Sequence, residues 1–180
     1  RRDQLGHRIG DRVEDMGPTG GRSREVLLDA WYNSQRRKNA AGQWELFHYK
    51  WDDEKESGFS LFGEIFRNFG VRTSTLESRP TLAKLSSAKI YIIVSPDNPA
   101  KNPHPHYMNP ADADQVAAWV RSGGVLLIME NDPANADIPH MDILGDRFGL
   151  HFNNVLVHHV AGDQFEMGRI DLDSTAPPFT

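Results

Sequence analysis

The stretch from Ile90 to Met129, IYIIVSPDNPAKNPHPHYMNPADADQVAAWVRSGGVLLIM, decides the fold class. It begins and ends with a short apolar segment, and continuously apolar segments are typical of strands that are covered on both faces. Between them, Asn109 and Pro110 predict the start of a helix, and Gly123 predicts its end. A strand, a helix and a second strand in this order predict a right-handed crossover between parallel strands.

The same alternation continues on both sides of this unit. Residues 25–32 (EVLLDAWY) form another apolar segment that predicts a buried strand, and residues 71–76 (VRTSTL) alternate as a strand does. In residues 57–70 (SGFSLFGEIFRNFG) the apolar side chains recur at helical spacing, with Ser57 as the predicted N-cap and Gly70 as the end of the helix.

Three further segments complete the pattern. PTLAKLSSA (residues 80–88) predicts a short helix, and Asp137 is the predicted cap of a helix in IPHMDILGDRFG. LHFNNVLV, residues 150–157, predicts a fourth core strand, whereas residues 36–43 read as a polar connection with a basic cluster in a loop. We therefore expect an α/β fold with a doubly wound, mostly parallel sheet, helices on both faces and a flavodoxin-like strand order.

The 180 residues predict one domain with a substantial core. Residues 1–24 are rich in glycine and charge, which indicates a linker or flexible tail, and residues 25–180 are the predicted domain. The pattern stops near Gly168, which leaves open whether the domain has its last strand.

The composition narrows the classes of partner. A net charge of -5 argues against nucleic acid, because that binding depends on Lys and Arg neutralising phosphates. No apolar run reaches the length of a membrane span, so we expect no membrane partner either. The chain has no cysteine, which excludes thiol nucleophiles, disulfides and thiolate metal sites. It also has no glycine-rich nucleotide motif after a strand, and we expect no cofactor.

In open parallel sheets, ligands bind beyond the carboxyl ends of the strands. This rule selects the connection after the first strand, the proline-rich loop after Val94 and the segment from Glu130 to Asp137. The candidate ligand-binding residues in these segments are Trp51, Asp52, Asp97, His104, His106, Asn131 and Asp132. Aromatic rings with carboxylates and amides suit a neutral polyhydroxylated ligand, whose C–H faces stack on rings while its hydroxyls form hydrogen bonds.

Two sharper hypotheses stay open. His104 and His106 would point to the same side of an extended segment, so both could reach one metal ion with Asp97 as a third ligand. The flanking prolines equally explain this loop as a rigid wall, and no metal ligand is assigned. A carboxylate pair for glycoside hydrolysis could come from these loops, but the sequence cannot provide the separation of the two groups.

Four segments, read in order, resemble a known family: FHYKWDDEKESGFSLFGEIF, YIIVSPDNP, WVRSGGVLLIMENDPANAD and GDQFEMG. They are similar to the glutamine-amidotransferase-like domain found after the catalytic domain in bacterial unsaturated rhamnogalacturonyl hydrolases, over about residues 26–168. The resemblance implies a class I glutamine-amidotransferase-like core, a role in pectin degradation, and a periplasmic or extracellular location.

The chain departs from true class I amidotransferases at the nucleophile. Those enzymes need a cysteine after a central strand, whereas Glu130, Asn131 and Asp132 follow VLLIM here. We therefore expect a non-catalytic accessory domain of a pectin-degrading glycosidase, which binds oligosaccharide or braces an attached catalytic domain. The alternative is a stand-alone hydrolase that uses a carboxylate pair or a His-bound metal at the ends of the strands.

Overall fold

The computed structural model describes residues 24–55, 57–153 and 160–169, together with residues 171 and 175. The strands are β1 (Glu25–Asp29), β2 (Arg36–Lys38), β3 (Trp44–Leu46), β4 (Arg72–Leu76), β5 (Ile90–Val94) and β6 (Val125–Met129). The α-helices are α1 (Ser60–Asn68), α2 (Leu82–Leu85), α3 (Pro110–Arg121) and α4 (Ile138–Gly145). Short 3₁₀ helices lie at Asp146–Phe148 and Phe165–Gly168.

The main sheet has the strand order β4-β1-β5-β6 among the described residues, and every neighbouring pair is parallel. In the register of β1, Val26 lies opposite Thr73 on β4 and opposite Ile90 on β5. The α/β class and the mostly parallel sheet are confirmed, and this order of four strands is consistent with a flavodoxin-like fold.

Helices cover both faces of the sheet, because alternate residues of each strand point to opposite sides. On one face, Val26, Leu28 and Ile92 pack against aromatic side chains that include Phe62 and Phe66 of α1. On the other face, the core consists of side chains from β1 and β5 and from α2, α3 and α4: Leu27, Tyr91, Ile93, Leu85, Val116, Trp119, Met141 and Leu144. Two apolar clusters thus hold the sheet rigid between its helices.

The strand β6 differs from its prediction as a strand buried on both faces. It pairs with β5 on one side and is the edge of the described sheet. Leu126 and Ile128 pack on the core, whereas Val125, Leu127 and Met129 are exposed. The register pairs these three with Ile90, Ile92 and Val94, so they lie on the α1 face. They are exposed because the aromatic cluster of α1 packs on β1 and β5.

Two local predictions were wrong. The polar connection after the first strand contains a hairpin: β2 pairs with β3 in antiparallel fashion, and its turn is held by Asn39, whose side-chain oxygen accepts hydrogen bonds from the N–H groups of Ala41 and Gln43. Ser57 is not the cap of the following helix, since α1 begins at Ser60 and has no side-chain cap.

Other boundaries agree with the sequence. Asn109 caps α3 by accepting a hydrogen bond from the N–H of Asp112 at 3.1 Å, and Pro110 is the first helical residue. Gly70 follows α1 with a φ of +68°, a conformation in which glycine is favoured. Asp137 is the N-cap residue of α4, as predicted, but its carboxylate makes no capping hydrogen bond and lies instead 2.8 Å from Nδ1 of His140.

Some predictions lie outside the described residues. The predicted tail falls there except for Arg24, and so does most of the predicted fourth strand, since residues 154–159 are not described and residues 150–153 form no strand. Within the part of the chain that is described, no helix is long and apolar enough to cross a membrane.

Candidate functional site

A crevice lies at the carboxyl ends of the parallel strands. Its outer cleft has a volume of about 280 Å³, and the residues that line it include Asp29, Phe47, Trp51, Asp52, Thr75 and Glu77. Its smaller part, of about 100 Å³, is called the inner cavity because it lies at the ends of the inner strands β1 and β5, and it is lined by Asn33, Gln35, His48, Tyr49, Ser95, Lys101, Asn131 and Asn135. Asn33, His48 and Tyr49 line both parts, so the two volumes adjoin.

The topology explains why these residues meet. Asn33 follows β1, Ser95 follows β5 and Asn131 follows β6, and parallel neighbours end at the same edge of a sheet. The connections are tied together by the N–H of Ser95, which donates to the carbonyl of Met129, and by the side chain of Asn33, which donates to the carbonyl of Ser95. The crevice is therefore built on rigid strand ends.

Residues 47–55 and 57–59 contact each other and form the remaining wall. The N–H of Tyr49 donates to the carbonyl of Ser57, and the N–H of Phe59 donates to that of Lys50, each at 2.9 Å. Gly58 lies so close to the backbone of Asp53 that a Cβ atom at this position would overlap its carbonyl group. This compact loop presents His48 to the crevice, with Nδ1 of its ring 2.9 Å from the hydroxyl of Ser57.

Trp51 and Asp52 line the outer cleft, as their position in the sequence suggested. The ring nitrogen of Trp51 donates to the carbonyl of Ser74 at 3.0 Å, and its ring packs among the phenylalanines of α1. Most of this side chain is therefore held by the protein, and only part of it faces the cleft. Asp52 is exposed and forms an ion pair with Lys50 at 3.5 Å.

Asp97 is not placed to contact a ligand. Its side chain is fully buried, and its carboxylate accepts hydrogen bonds from the N–H of Ser34 and from the amides of Gln35 and Asn102, all within 2.9 Å. Asp97 therefore joins the connections that follow β1 and β5, and it acts on the crevice by positioning Gln35.

The two candidate histidines do not line the crevice. The ring of His106 stacks on Trp31 with centroids 3.5 Å apart, and its Nδ1 donates to the carbonyl of the same residue at 2.8 Å. His104 is exposed, and its backbone N–H donates to the side chain of Asn102. Across residues 24–55, 57–153 and 160–169, no three His, Asp or Glu side chains are placed to share a metal ion.

Of the two candidate residues after β6, one lines the inner cavity and the other orients a residue that lines it. Asn131 lines the inner cavity. Asp132 is half-buried and accepts a hydrogen bond from the side chain of Asn135 at 2.7 Å, and this bond is the largest cause that lowers the pKa of the Asp132 carboxyl. Asp132 thus orients Asn135, which lines the cavity.

Sequence reasoning missed the backbone feature that marks this cavity. His48, Tyr49 and Ser95 have φ values of 70°, 46° and 38°, and they are the non-glycine residues with positive φ in the described part of the chain. Such conformations are costly and cluster at functional sites. All three line the inner cavity. Because none of them is a glycine, no residue type in the sequence signals the conformation.

Burial shifts the protonation of several groups at this edge of the sheet. Burial raises the pKa of Asp29 to about 6, although its carboxylate accepts a hydrogen bond from the hydroxyl of Tyr91 at 2.6 Å. Burial lowers the pKa of His48, so its ring is largely uncharged near pH 7. Burial and then the charge of Asp137 raise the pKa of Glu130 to about 8, and both buried oxygens of Glu130 lack hydrogen-bond partners.

No family model, no curated protein and no solved structure matches this chain. The resemblance to the glutamine-amidotransferase-like domain therefore stays a prediction. What the structure defines is a class of protein: an α/β domain with a parallel sheet and a polar, aromatic-walled crevice at the carboxyl ends of its strands.

Proposed function

We propose that this chain is a non-catalytic accessory domain of a pectin-degrading glycosidase, and that it binds saccharide in the crevice. The observation that carries the proposal is the outer cleft, where the rings of Phe47, Tyr49 and Trp51 lie beside the carboxylates of Asp52 and Glu77. Aromatic rings cover the C–H faces of a sugar, and carboxylates accept hydrogen bonds from its hydroxyls.

The chemistry of the crevice supports binding more than catalysis. Asp97, the most buried of the candidate carboxylates, is committed to three donors, and Asp52 is paired with Lys50. His106 is held by its stacking on Trp31. The amides of Asn33 and Gln35 each donate to a protein oxygen, which fixes their orientation in the wall. A site of this kind can hold hydroxyl groups in defined positions.

Calorimetry with pectin-derived oligosaccharides tests the proposal. We expect saturable binding in the millimolar range or tighter, and we expect Asp52→Ala to weaken it several-fold, because an exposed acceptor is lost while the fold stays intact. Asp146→Ala is the matched control, since Asp146 is an equally charged, exposed residue in the 3₁₀ helix after α4. If millimolar oligosaccharide gives no heat of binding, the proposal is wrong.

A second candidate function has its own observation. Leu61 and Ile65 of α1 and Phe69, which directly follows this helix, recur every four residues, and their exposed fractions are 83%, 54% and 74%. An apolar stripe on the outside of a helix favours packing against another protein surface. We infer that α1 braces an attached catalytic domain. A catalytic domain supplied as a separate chain should then bind the unmodified domain and not Leu61→Glu, while saccharide binding is the same in both.

A further inference from the structure

The inner cavity differs in charge from the outer cleft that it adjoins. The outer cleft is lined by three carboxylates, Asp29, Asp52 and Glu77, and by one ammonium group, that of Lys50. Of the described residues that line the inner cavity, Lys101 carries the one permanent charge, and the rest are amides, hydroxyls and the ring of His48. An acidic group on a ligand would therefore be repelled by the cleft and attracted by the cavity.

The two carboxylates near Lys101 already accept hydrogen bonds from other groups of the protein. Asp132 accepts hydrogen bonds from the side chain of Asn135 and the N–H of Ala134, and Asp97 accepts three. Burial is the largest cause that lowers the pKa of His48, and hydrogen bonds are the largest cause that lowers that of Asp132; the charge of Lys101 lowers both further, while the charge of Asp97 raises the pKa of His48. The ammonium group of Lys101 therefore lies within electrostatic reach of the cavity. Lys101 has no ion pair with a described carboxylate.

Several hydrogen-bond donors of the cavity also have no partner among the described residues. These are the hydroxyl groups of Tyr49 and Ser95 and the amide nitrogen of Asn131. Tyr49 and Ser95 are held in left-handed conformations, each at a cost of about 1–3 kcal/mol, which fixes where their side chains start. A volume of about 100 Å³ corresponds to about three water molecules, enough for one small acidic group.

We infer that the inner cavity binds a carboxylate group of the ligand, with Lys101 as the counter-charge and Tyr49, Ser95 and Asn131 as hydrogen-bond donors. The inference rests on the proposed saccharide binding in the outer cleft, and it narrows the ligand to an acidic saccharide whose carboxylate enters the cavity. The neutral rings of the same saccharide then occupy the cleft.

Matched pairs of sugars that differ by one carboxylate test this inference. Glucose and glucuronate, and galactose and galacturonate, are titrated by calorimetry into the whole chain at pH 7. We expect each uronate to bind about tenfold more tightly than its hexose, the ratio that one charge-assisted hydrogen bond supplies. Lys101→Met should remove the preference, and Lys101→Arg should keep most of it.

Lys89→Met is the control for the change in charge, because Lys89 is exposed and directly precedes β5, at the opposite edge of the sheet. It should leave the preference unchanged. Equal binding of uronate and hexose, or a preference that survives in Lys101→Met, would overturn the inference and leave the saccharide proposal standing. If neither the sugar pairs nor the pectic oligosaccharides bind at millimolar concentration, both are wrong.

Discussion

The central strand β1 carries a buried carboxylate at each end, and the two have opposite environments. Glu25 and Asp29 are 8% and 3% exposed. Hydrogen bonds from Ser74 and Ser87 and the charge of Arg72 lower the pKa of Glu25. Asp29 accepts hydrogen bonds from Tyr91, Tyr32 and Asn33, but no cation among the described residues lies beside it, and burial raises its pKa to about 6.

The difference separates the two edges of the sheet. At the amino edge, the buried charge is fully compensated, so that edge contributes stability. At the carboxyl edge, Asp29 and Glu130 both have raised pKa values, and three non-glycine residues have positive φ. Unfavourable terms of this kind gather where a protein holds polar groups for a ligand. The carboxyl edge is therefore the place to look for function.

The largest effect should come from removing Asp29. In Asp29→Ala, the hydroxyl of Tyr91 and the N–H groups of Tyr32 and Asn33 lose their acceptor in a buried site. We expect the free energy of unfolding to fall by about 3 kcal/mol. Asp29→Asn, which keeps one acceptor oxygen, should lose less than half of that. Urea titrations at pH 7 measure both, and an equal loss in the two variants would contradict this account.

Glu130 should give the next largest effect, with the opposite sign. Its pKa is raised from 4.5 to about 8, so the folded protein retains a proton that the unfolded chain releases as the pH rises between these values. The free energy of unfolding therefore falls across this window. In Glu130→Gln the free energy of unfolding should not fall in this way. At pH 8.5 this variant should therefore be more stable than the unmodified protein by about 2 kcal/mol, after allowance for solvent screening. Near pH 4 the two proteins should be equally stable.

A comparison of Glu25→Gln with Asp29→Asn tests this contrast further, because the contributions of Glu25 and Asp29 to the free energy of unfolding depend on pH with opposite signs. Asp29 has a raised pKa, so its favourable contribution is complete below its ordinary value of 3.8 and is lost as the pH rises through about 6. Glu25 has a lowered pKa, so its contribution is present above 4.5 and is lost as the pH falls.

Each substitution should remove one of these slopes from a plot of unfolding free energy against pH from 3 to 7. At pH 7, Glu25→Gln should cost about 1 kcal/mol, since a charged acceptor becomes neutral. Slopes of the same sign at both ends of β1 would refute the contrast between the edges.

The sequence predicts the parts of this molecule that depend on local pattern. The cap at Asn109 and the apolar runs of β1 and β5 follow from residue type and spacing, and the rule for parallel sheets selects the segments that hold Trp51 and Asn131. WELFHYKW indicates an extended segment, which contains β3, but β2 and its pairing with β3 escape because β2 has three residues and all of them are basic. Ser57 fails as a cap because α1 begins three residues later, at Ser60, and its hydroxyl lies 2.9 Å from Nδ1 of His48.

The site residues show the same limit. Asp97 looks like a ligand contact in the sequence, yet the donors that bury it come from Gln35 and Asn102 on two different connections. The spacing of the two histidines in HPH does not predict that the ring of His106 stacks on Trp31. Local pattern can therefore name the edge of the sheet that carries the site, while the convergence of side chains decides which residues reach a ligand.

The smallest expected effect concerns His48 and the binding of uronates. Burial lowers the pKa of His48, so its ring gains a proton only as the pH falls below 6.5, and the ring then adds a positive charge to the cavity of Lys101. We expect galacturonate to bind about threefold more tightly at pH 5 than at pH 7, since the two cations also repel each other. Galactose should show no such change, and His48→Gln should abolish it for the uronate. A pH dependence that galactose shares would trace to Asp29 instead, because that group titrates near pH 6 beside the outer cleft whether or not the ligand is charged.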